Sequence, residues 1–344
     1  MPDRKLPLRP NLRQLRLQAK DLLRAIRRGD PDAIAELHTH NPERADSAGV
    51  RLADAQHVIA RSYGATNWPR LVRACELIDA IWRDDVDSLK RIVTQHRELL
   101  REHATIRDSN WGPPMTYAAN LGRDRLIRMM HKLGATDTEW ALGRAVLQGK
   151  IATARMLHEM LGSPAPPEGA LAGPAYTLSV SGTAFALEVG ARLVGPDGSV
   201  DRGTMEHLLG TDSRNPPAKH RILEMYVEHG FEPPDTPVMA LHRGRIDLLE
   251  AHLARDPDLL TRTFDNTDVY PLAPACSGDP SSSDRYVAQG TPVHGTTLLH
   301  IAAYFDEVEI ARWLLDRGMN PDAPAEIDAE GFGGYTALFS PVVS

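Results

Sequence analysis

The chain has 344 residues, 42% hydrophobic and 25% charged, which is close to ordinary globular usage and excludes a disordered tail, a collagen-like fibre and a membrane protein. The formal net charge of −7 gives no global basic field that would recruit nucleic acid. The length exceeds what one compact core usually holds, so we expect two domains or a repeat array, and the low aromatic content of 6% favours helices over a β-sandwich.

The first predicted element is a basic amphipathic helix that ends at Gly29-Asp30-Pro31, since Gly accepts a left-handed turn and Pro cannot continue the helix. Residues 1–28 hold nine Lys and Arg residues against two acids. Five basic residues form a stripe beside the apolar one: Arg13, Arg16, Lys20, Arg24 and Arg27. Through Arg13, Arg16 and Lys20, the stripe is expected to make at most a weak contact with an anionic surface. A solvated helix face is the more common explanation, so no specific nucleic-acid partner is predicted.

A second amphipathic helix is predicted from apolar residues at helical spacing: Ala55, Val58, Ile59 and Tyr63. Gly64 closes it, and Asn67-Trp68-Pro69 makes a turn into the following helix. Residues 1–72 are therefore predicted to form an N-terminal helical cap. Periodic sequence begins at residue 73.

The clearest periodic unit lies near the carboxyl end. Residues 297–306 read TLLHIAAYFD, and apolar residues at helical spacing then lead to Gly318-Met319-Asn320. This unit resembles the ankyrin repeat, whose first helix carries TPLHxAAxxG and whose second helix ends near LLxxGA. Asp306 stands where that pattern has its usual Gly. The Ala pair lets neighbouring first helices pack closely, and Gly closes each helix.

Four earlier segments fall into the same frame, with a first helix that ends in a glycine: Gly122, Gly149, Gly182 and Gly244. The helix after Gly182 looks one turn short, and weaker units lie at residues 77–93 and 203–231. We therefore predict an all-α fold, an ankyrin-repeat solenoid of about seven to eight degenerate helix-turn-helix units over residues 73–344. Each helix pair has one apolar stripe that only the next pair can cover. Residues 55–71 follow the pattern AQxxIARxYGxxxWPxL, which resembles a segment that precedes ankyrin repeats in many bacterial proteins.

Two parts of the array are irregular. Residues 263–294 are a long insertion rich in turn-forming residues, and such loops in an ankyrin array project over the concave face. The insertion is either a lid or partner-gripping loop, or a flexible connector. The last unit begins at Gly334 and has a first helix at most, so we expect a truncated chain or, as the less favoured alternative, an end covered by a partner.

Motifs of catalysis and of metal or cofactor binding are missing from the sequence: there is no HExxH, CxxC, GxSxG, Walker loop or GxGxxG after a strand. The only cysteines, Cys75 and Cys276, supply neither a disulfide framework nor a four-ligand zinc site. We therefore predict no cofactor, no metal and no catalytic residues, and an enzyme is the less favoured class. Because no signal peptide or run of 18 apolar residues is found, a cytoplasmic protein is expected.

The resemblance implies a scaffold that binds another protein on the concave face of the repeats, with non-consensus residues providing specificity. Aromatic and Arg side chains dominate such interfaces. The predicted contact residues are Asn110, Trp111, Tyr117, Asn120, Arg144, Tyr176, Tyr304 and Phe305. The alternative is an enzyme or small-ligand binder with a pocket between the concave face and the insertion. Its polar groups are Asp265, Asp268, Tyr270, His294 and His300. A folded insertion favours the alternative, and a disordered one favours the scaffold.

Overall fold

The computed structural model describes residues 4–44, 49–273, 276, 295–327, 331 and 333–339. Within these residues the fold is all-helical and contains no β-strand, as predicted. Two isolated β-bridges pair Val194 with Val200 and Phe264 with Thr296. In this part of the chain no helix is both long and apolar enough to cross a bilayer.

The chain divides into two compact units. Unit 1 is Met1–Ala145 with Ala152–Pro164, and unit 2 is Val146–Ile151 with Ala165–Ser344. The predicted boundary at residue 72 falls inside unit 1, where helix Leu52–Ser62 packs against helix Trp68–Trp82.

The described residues of the first half of the chain form the helices α1 Leu12–Arg27, α2 Pro31–His40, α3 Leu52–Ser62, α4 Trp68–Trp82, α5 Val86–Gln95, α6 Pro114–Asn120, α7 Asp124–Lys132, α8 Thr138–Leu147 and α9 Ile151–Met160. A 3-10 turn at Arg97–Leu100 follows α5. The basic helix α1 starts at Asn11, whose side chain accepts a hydrogen bond from the N–H of Arg13 at 2.9 Å and so satisfies an otherwise unpaired donor. Its apolar stripe packs on α3.

The helices of the second half are α10 Ala172–Tyr176, α11 Val180–Glu188, α12 Arg202–Leu209, α13 Pro216–Glu228, α14 Pro237–His242, α15 Ile246–Arg255, α16 Asn266–Val269, α17 Leu298–Tyr304 and α18 Val308–Asp316. Two 3-10 turns occupy Pro257–Leu260 and Ala337–Phe339. Several of these helices begin at a side-chain cap or with Pro in the first turn, as Thr236 and Pro237 do for α14.

Helix pairs are the building block in both units. In unit 1, α4 packs on α5 and α6 on α7, while α4 also contacts α6 and α5 contacts α7. In unit 2, α10 contacts α12 and α11 contacts α13, and α14 with α15 and α17 with α18 form further pairs. Among α4–α7 and among α10–α13, first helices therefore lie beside first helices and second helices beside second helices.

One backbone conformation recurs at the turn between the two helices of a pair. The residue there has a positive φ: Asp84 (56°), Gly122 (68°), Gly149 (63°), Leu178 (51°), Gly244 (67°) and Asp306 (59°). Gly adopts this left-handed conformation without cost, whereas a side chain is strained in it. The recurrence identifies equivalent positions even where the sequence has lost its glycine.

The structure corrects the prediction for the unit around Gly182. The first helix, α10, already ends at Tyr176, and Leu178 takes the left-handed position. Gly182 lies inside α11, where its N–H donates to the Ser179 cap at 3.2 Å and a Cβ would collide with the carbonyl oxygen of Val146. Helix α11 is therefore not short. The glycine is needed for close packing rather than for a turn.

Candidate functional site

The turn before α6 presents Asn110 and Trp111 on a hydrogen-bonded scaffold. The N–H of Ala104 donates to the carbonyl of Gly112 at 3.0 Å, and the N–H of Ser109 donates to Nδ1 of His103 at 3.1 Å. These bonds close the turn and hold Asn110 in an exposed position. Side chains on such a preorganised turn lose little conformational entropy on binding.

Two aromatic side chains flank this turn. Trp111 is half-buried, with its ring 4.8 Å from that of Tyr117. Trp140, in the first turn of α8, keeps 41% of its surface exposed although its ring packs beside Gly112. The ring of His103 meets Trp140 edge-on at 5.5 Å. Large, rigid aromatic groups that are only partly covered are typical anchors of protein interfaces.

Arg144 lies one turn after Trp140 and is fixed by a neighbouring helix. Its Nε donates to Oδ1 of Asn120 at 2.8 Å, while Nδ2 of Asn120 donates to the carbonyl of Thr116 at 2.9 Å. Partial burial lowers the pKa of the Arg144 guanidinium from its ordinary value. The buried Asn120 thus positions a half-exposed arginine next to the aromatic groups.

A further tryptophan, Trp82 at the end of α4, completes the group. Its indole donates to the hydroxyl of Tyr117 at 3.2 Å, and that hydroxyl donates to the carbonyl of Leu8. Burial raises the pKa of Tyr117 to about 12, so the phenol remains a donor at neutral pH. We use the name unit 1 surface for the partly exposed residues described so far: Trp82, Asn110, Trp111, Trp140 and Arg144.

The eight predicted contact residues divide by burial. Asn110, Trp111 and Arg144 belong to the unit 1 surface, and Tyr176 in unit 2 is 46% exposed, with His207 edge-on at 5.9 Å. The other four are buried: Tyr117, Asn120, Tyr304 and Phe305. These four side chains pack inside the fold, and a contact of any of them with a partner stays a prediction.

In unit 2 the buried aromatic residues surround an ion pair. Nζ of Lys219, near the start of α13, lies 2.8 Å from Oε1 of Glu307, and both side chains are almost fully buried. The ring of His220 reaches the same carboxylate at 2.9 Å. Lys219 also lies 4.6 Å from the ring centre of Phe305, and Arg214 lies 4.8 Å from that of Tyr304, both favourable cation–π geometries.

Burial controls the protonation of this cluster. It lowers the pKa of Lys219, and it lowers that of His242, whose ring meets Phe305 edge-on at 4.7 Å, to about 3. Burial acts to raise the pKa of Glu307, but hydrogen bonds from His220 and Lys219 hold it below its ordinary value. The cavity beside Lys219 and Phe305 offers about 10 Å³, room for a single water at most.

The described residues of the predicted alternative pocket have structural partners within unit 2. Asp265 and Asp268 form a capping box at the start of α16, and Tyr270 is buried 6.0 Å from the ring of Phe305. Nδ1 of His300 accepts from the N–H of Thr297 at 3.3 Å, and its Nε2 bonds the carbonyl of Tyr335 at 3.0 Å. Both ring nitrogens are therefore engaged, and His294 lies outside the described residues.

The start of the insertion is folded into unit 2. The N–H of Phe264 donates to the carbonyl of Thr296 at 2.8 Å, and Nε2 of His242 bonds the carbonyl of Val269 at 2.7 Å. Cys276 is buried, which raises the pKa of its thiol to about 12. Residues 277–294 lie outside the described part of the chain. The lid and the connector therefore both stay predictions.

The basic stripe of α1 is exposed along its length. Arg24 pairs with Asp21 at 2.9 Å, and Arg27 reaches the carbonyl of Val50 at 3.5 Å. Within the described residues no group of three His, Cys, Asp or Glu side chains lies close enough together to hold a metal ion.

The sequence reasoning missed Trp82, Trp140, Lys219 and Glu307. A signal existed for the first of them. In six helix pairs, the residue two positions before the left-handed turn residue is structurally equivalent: Trp82, Asn120, Leu147, Tyr176, His242 and Tyr304. The predicted contacts already included three of these six. An alignment of Asp84 with Gly122 would have pointed to Trp82 as a further contact residue.

Comparison with known families gives one match. Residues 294–326 match the ankyrin repeat. The match supports the resemblance stated for residues 297–320 and suggests a module of protein–protein interaction. It covers the pair α17 and α18, whose left-handed Asp306 occupies the position of the repeat's glycine. No curated protein matches the chain significantly.

Proposed function

We propose that this protein is a protein-interaction scaffold, and that its helix pairs are units of an ankyrin-repeat solenoid of about seven to eight degenerate repeats, over residues 73–344 behind a helical cap. The match at residues 294–326 supports the repeat assignment. The left-handed residue shared by six helix pairs supports its extension to units whose sequence has drifted.

The partner binds the first-helix side of the repeats, which is the concave face of an ankyrin array. The observation that carries this proposal is the unit 1 surface, where Trp140 is 41% exposed yet held by Gly112 and His103. Trp82, Trp111 and Arg144 add further partly covered groups of the types that dominate binding energy. Tyr176 provides a further contact in unit 2.

The location we propose is the cytoplasm, because both cysteines are free and buried, as in proteins of reducing compartments. A weak contact of Arg13, Arg16 and Lys20 with an anionic surface stays a prediction of the sequence. The alternative enzyme or ligand-binding function is not proposed, because the described members of its pocket are engaged as caps or buried packing groups.

Differential affinity capture tests the proposal. The wild-type chain, Trp140→Ala and Leu315→Ala are used as baits in extract of the native host, and captured proteins are quantified by mass spectrometry. Leu315 is the matched control, since it is 44% exposed on a second helix. We expect one protein to be depleted at least tenfold with Trp140→Ala, about the effect of losing an anchor, and retained with Leu315→Ala. Equal capture by all three baits would contradict the assignment.

A further inference from the structure

Residues 4–11, the segment before α1, form a strap that lies across unit 1 without regular secondary structure. The N–H of Arg4 donates to the carbonyl of Ser62 at 2.9 Å, and its guanidinium pairs with Glu36 at 2.8 Å. Four residues later, the carbonyl of Leu8 accepts the hydrogen bond of the Tyr117 hydroxyl. The strap is thus fastened to the helical cap at one end and to α6 at the other.

The strap uses the kind of contact expected of a bound peptide. The guanidinium of Arg9 lies 5.3 Å from the ring centre of Trp82, a cation–π distance. Two prolines, Pro7 and Pro10, favour an extended chain, and aromatic-lined grooves of other proteins recognise such segments. Tyr117 supplies the hydroxyl donor that bonds the peptide carbonyl.

Acidic residues extend this groove along α4. An open cavity of about 480 Å³ adjoins Arg9, and its lining includes Glu76 and Asp79. These carboxylates lie one and two turns before Trp82 on the same helix. Asp79 pairs with Arg83 at 3.0 Å, and Arg13 also lines the cavity. The groove therefore combines an aromatic ring, a hydroxyl donor and the carboxylate of Glu76, which together suit an extended peptide with a basic side chain.

The strap is bound to unit 1 by few buried residues and few hydrogen bonds. Only Leu6 and Pro10 of residues 4–11 are buried, while Pro7, Leu8 and Arg9 are exposed. Segments with little buried apolar surface and few backbone hydrogen bonds open at low free energy. A partner with the same chemistry can therefore take the place of the strap.

We propose that residues 4–11 are a built-in ligand, and that the partner of this scaffold inserts an extended, proline-containing peptide with an arginine over Trp82 and a backbone carbonyl on Tyr117. This inference rests on the proposed function and names the partner's binding segment. The strap occupies the groove until the partner peptide displaces it.

Fluorescence anisotropy with a labelled peptide of the sequence RKLPLRPN, residues 4–11, tests the proposal on full-length chains. Leu6→Asp releases the strap, because it places a charge at a buried apolar position. Pro7→Asp is the matched control, since Pro7 is exposed. We expect the Leu6→Asp chain to bind the peptide at least tenfold more tightly than the wild-type and Pro7→Asp chains do.

A change in the peptide alone keeps the test independent of protein folding. Replacing the peptide arginine that corresponds to Arg9, and not the one that corresponds to Arg4, by neutral, nearly isosteric citrulline is expected to weaken binding about two- to fivefold, the usual range for an exposed cation–π contact. Trp82→Phe in the Leu6→Asp chain removes the indole N–H that orients Tyr117 and is expected to weaken binding as well. Leu315→Ala, on the exposed side of α18 and outside the groove, is expected to leave peptide affinity unchanged.

Three outcomes would overturn the proposal. Equal peptide affinity of the wild-type and Leu6→Asp chains would show that the strap does not occupy the binding groove. Failure of every chain to bind the peptide, with capture of the partner still lost in Trp140→Ala, would overturn this inference and leave the proposed function intact. A doubled mass of the wild-type chain in light scattering that Leu6→Asp abolishes would make a second copy of the chain the occupant.

Discussion

The indole N–H of Trp82 donates a hydrogen bond of 3.2 Å to the hydroxyl of Tyr117, and so joins the end of α4 to the middle of α6. The hydroxyl of Tyr117 in turn donates to the carbonyl of Leu8. This phenol therefore links α4 and α6 to the segment before α1. The same helices carry or adjoin the partly exposed residues of the unit 1 surface. Packing and proposed binding therefore depend on the same contacts.

Tyr117→Phe should lower the free energy of unfolding by about 1–2 kcal/mol, since it leaves the Trp82 N–H and the Leu8 carbonyl without their partner. Amide hydrogen exchange in residues 4–11 should become faster, while exchange in α5 stays unchanged. Tyr176→Phe is the control, because the Tyr176 ring is 46% exposed. An equal loss of stability in both variants would contradict the role given to the Tyr117 hydroxyl.

Lys219 and Glu307 should show strong coupling in a double-mutant cycle. Lys219→Met leaves a buried carboxylate without its ammonium partner and should cost about 3–5 kcal/mol. Adding Glu307→Gln should restore part of that loss, because both charges are then gone. Chemical denaturation of the four chains measures the coupling. Simple additivity of the two single effects would mean that the pair does not form.

The stability of unit 2 should fall in acid. Burial lowers the pKa of His242 from 6.5 to about 3, so between these values the unfolded chain binds a proton that the folded chain does not. Between pH 6.5 and about 3, each unit decrease in pH therefore lowers the free energy of unfolding by about 1.4 kcal/mol. The pKa of Glu307 is also lowered from its ordinary value of 4.5. Stability therefore falls further once the pH drops below 4.5.

His242→Gln should flatten this pH dependence, because glutamine does not titrate and keeps a donor for the carbonyl of Val269. Chemical denaturation at several pH values measures the slope. His229→Gln is the control, since His229 lies on the surface of the same unit. A slope that persists in His242→Gln would show that another group causes the acid sensitivity.

The equivalence of Asp306 and Gly244 gives opposite predictions for two substitutions. Asp306→Gly should raise the free energy of unfolding by about 0.5–1 kcal/mol, because glycine relieves the positive φ of 59°. Gly244→Ala should lower it, since the new Cβ is strained at φ 67° and meets the ring of His220. Thermal unfolding distinguishes the two, and a shift in the same direction for both would contradict the shared position.

The fold class and most helix pairs could be predicted from the sequence, because apolar spacing and the closing glycines are local signals. The unit around Gly182 was misplaced for a physical reason. Its turn uses Leu178, a residue that rarely adopts a positive φ, while its glycine serves close packing against Val146. Local sequence does not distinguish these two uses of glycine.

The candidate site was harder to predict from the sequence, because it depends on burial and on contacts between residues that are far apart in the chain. Tyr117 and Asn120 were predicted as partner contacts, and the structure adds that they are buried and bonded to Trp82 and Arg144. The pairing of Lys219 with Glu307 joins α13 to the start of α18, and no spacing in the sequence predicts it. The exposure of Trp140 likewise depends on how α8 lies beside Gly112.

Site-specific photo-crosslinking in living cells of the native host tests the central claim most directly. A photoreactive phenylalanine derivative replaces Trp140 in one chain and Leu315 in another, since both positions are more than 40% exposed. A partner that binds the unit 1 surface should give one discrete crosslinked protein from position 140 and none from position 315. The same crosslinks from both positions, or none from position 140, would contradict the account.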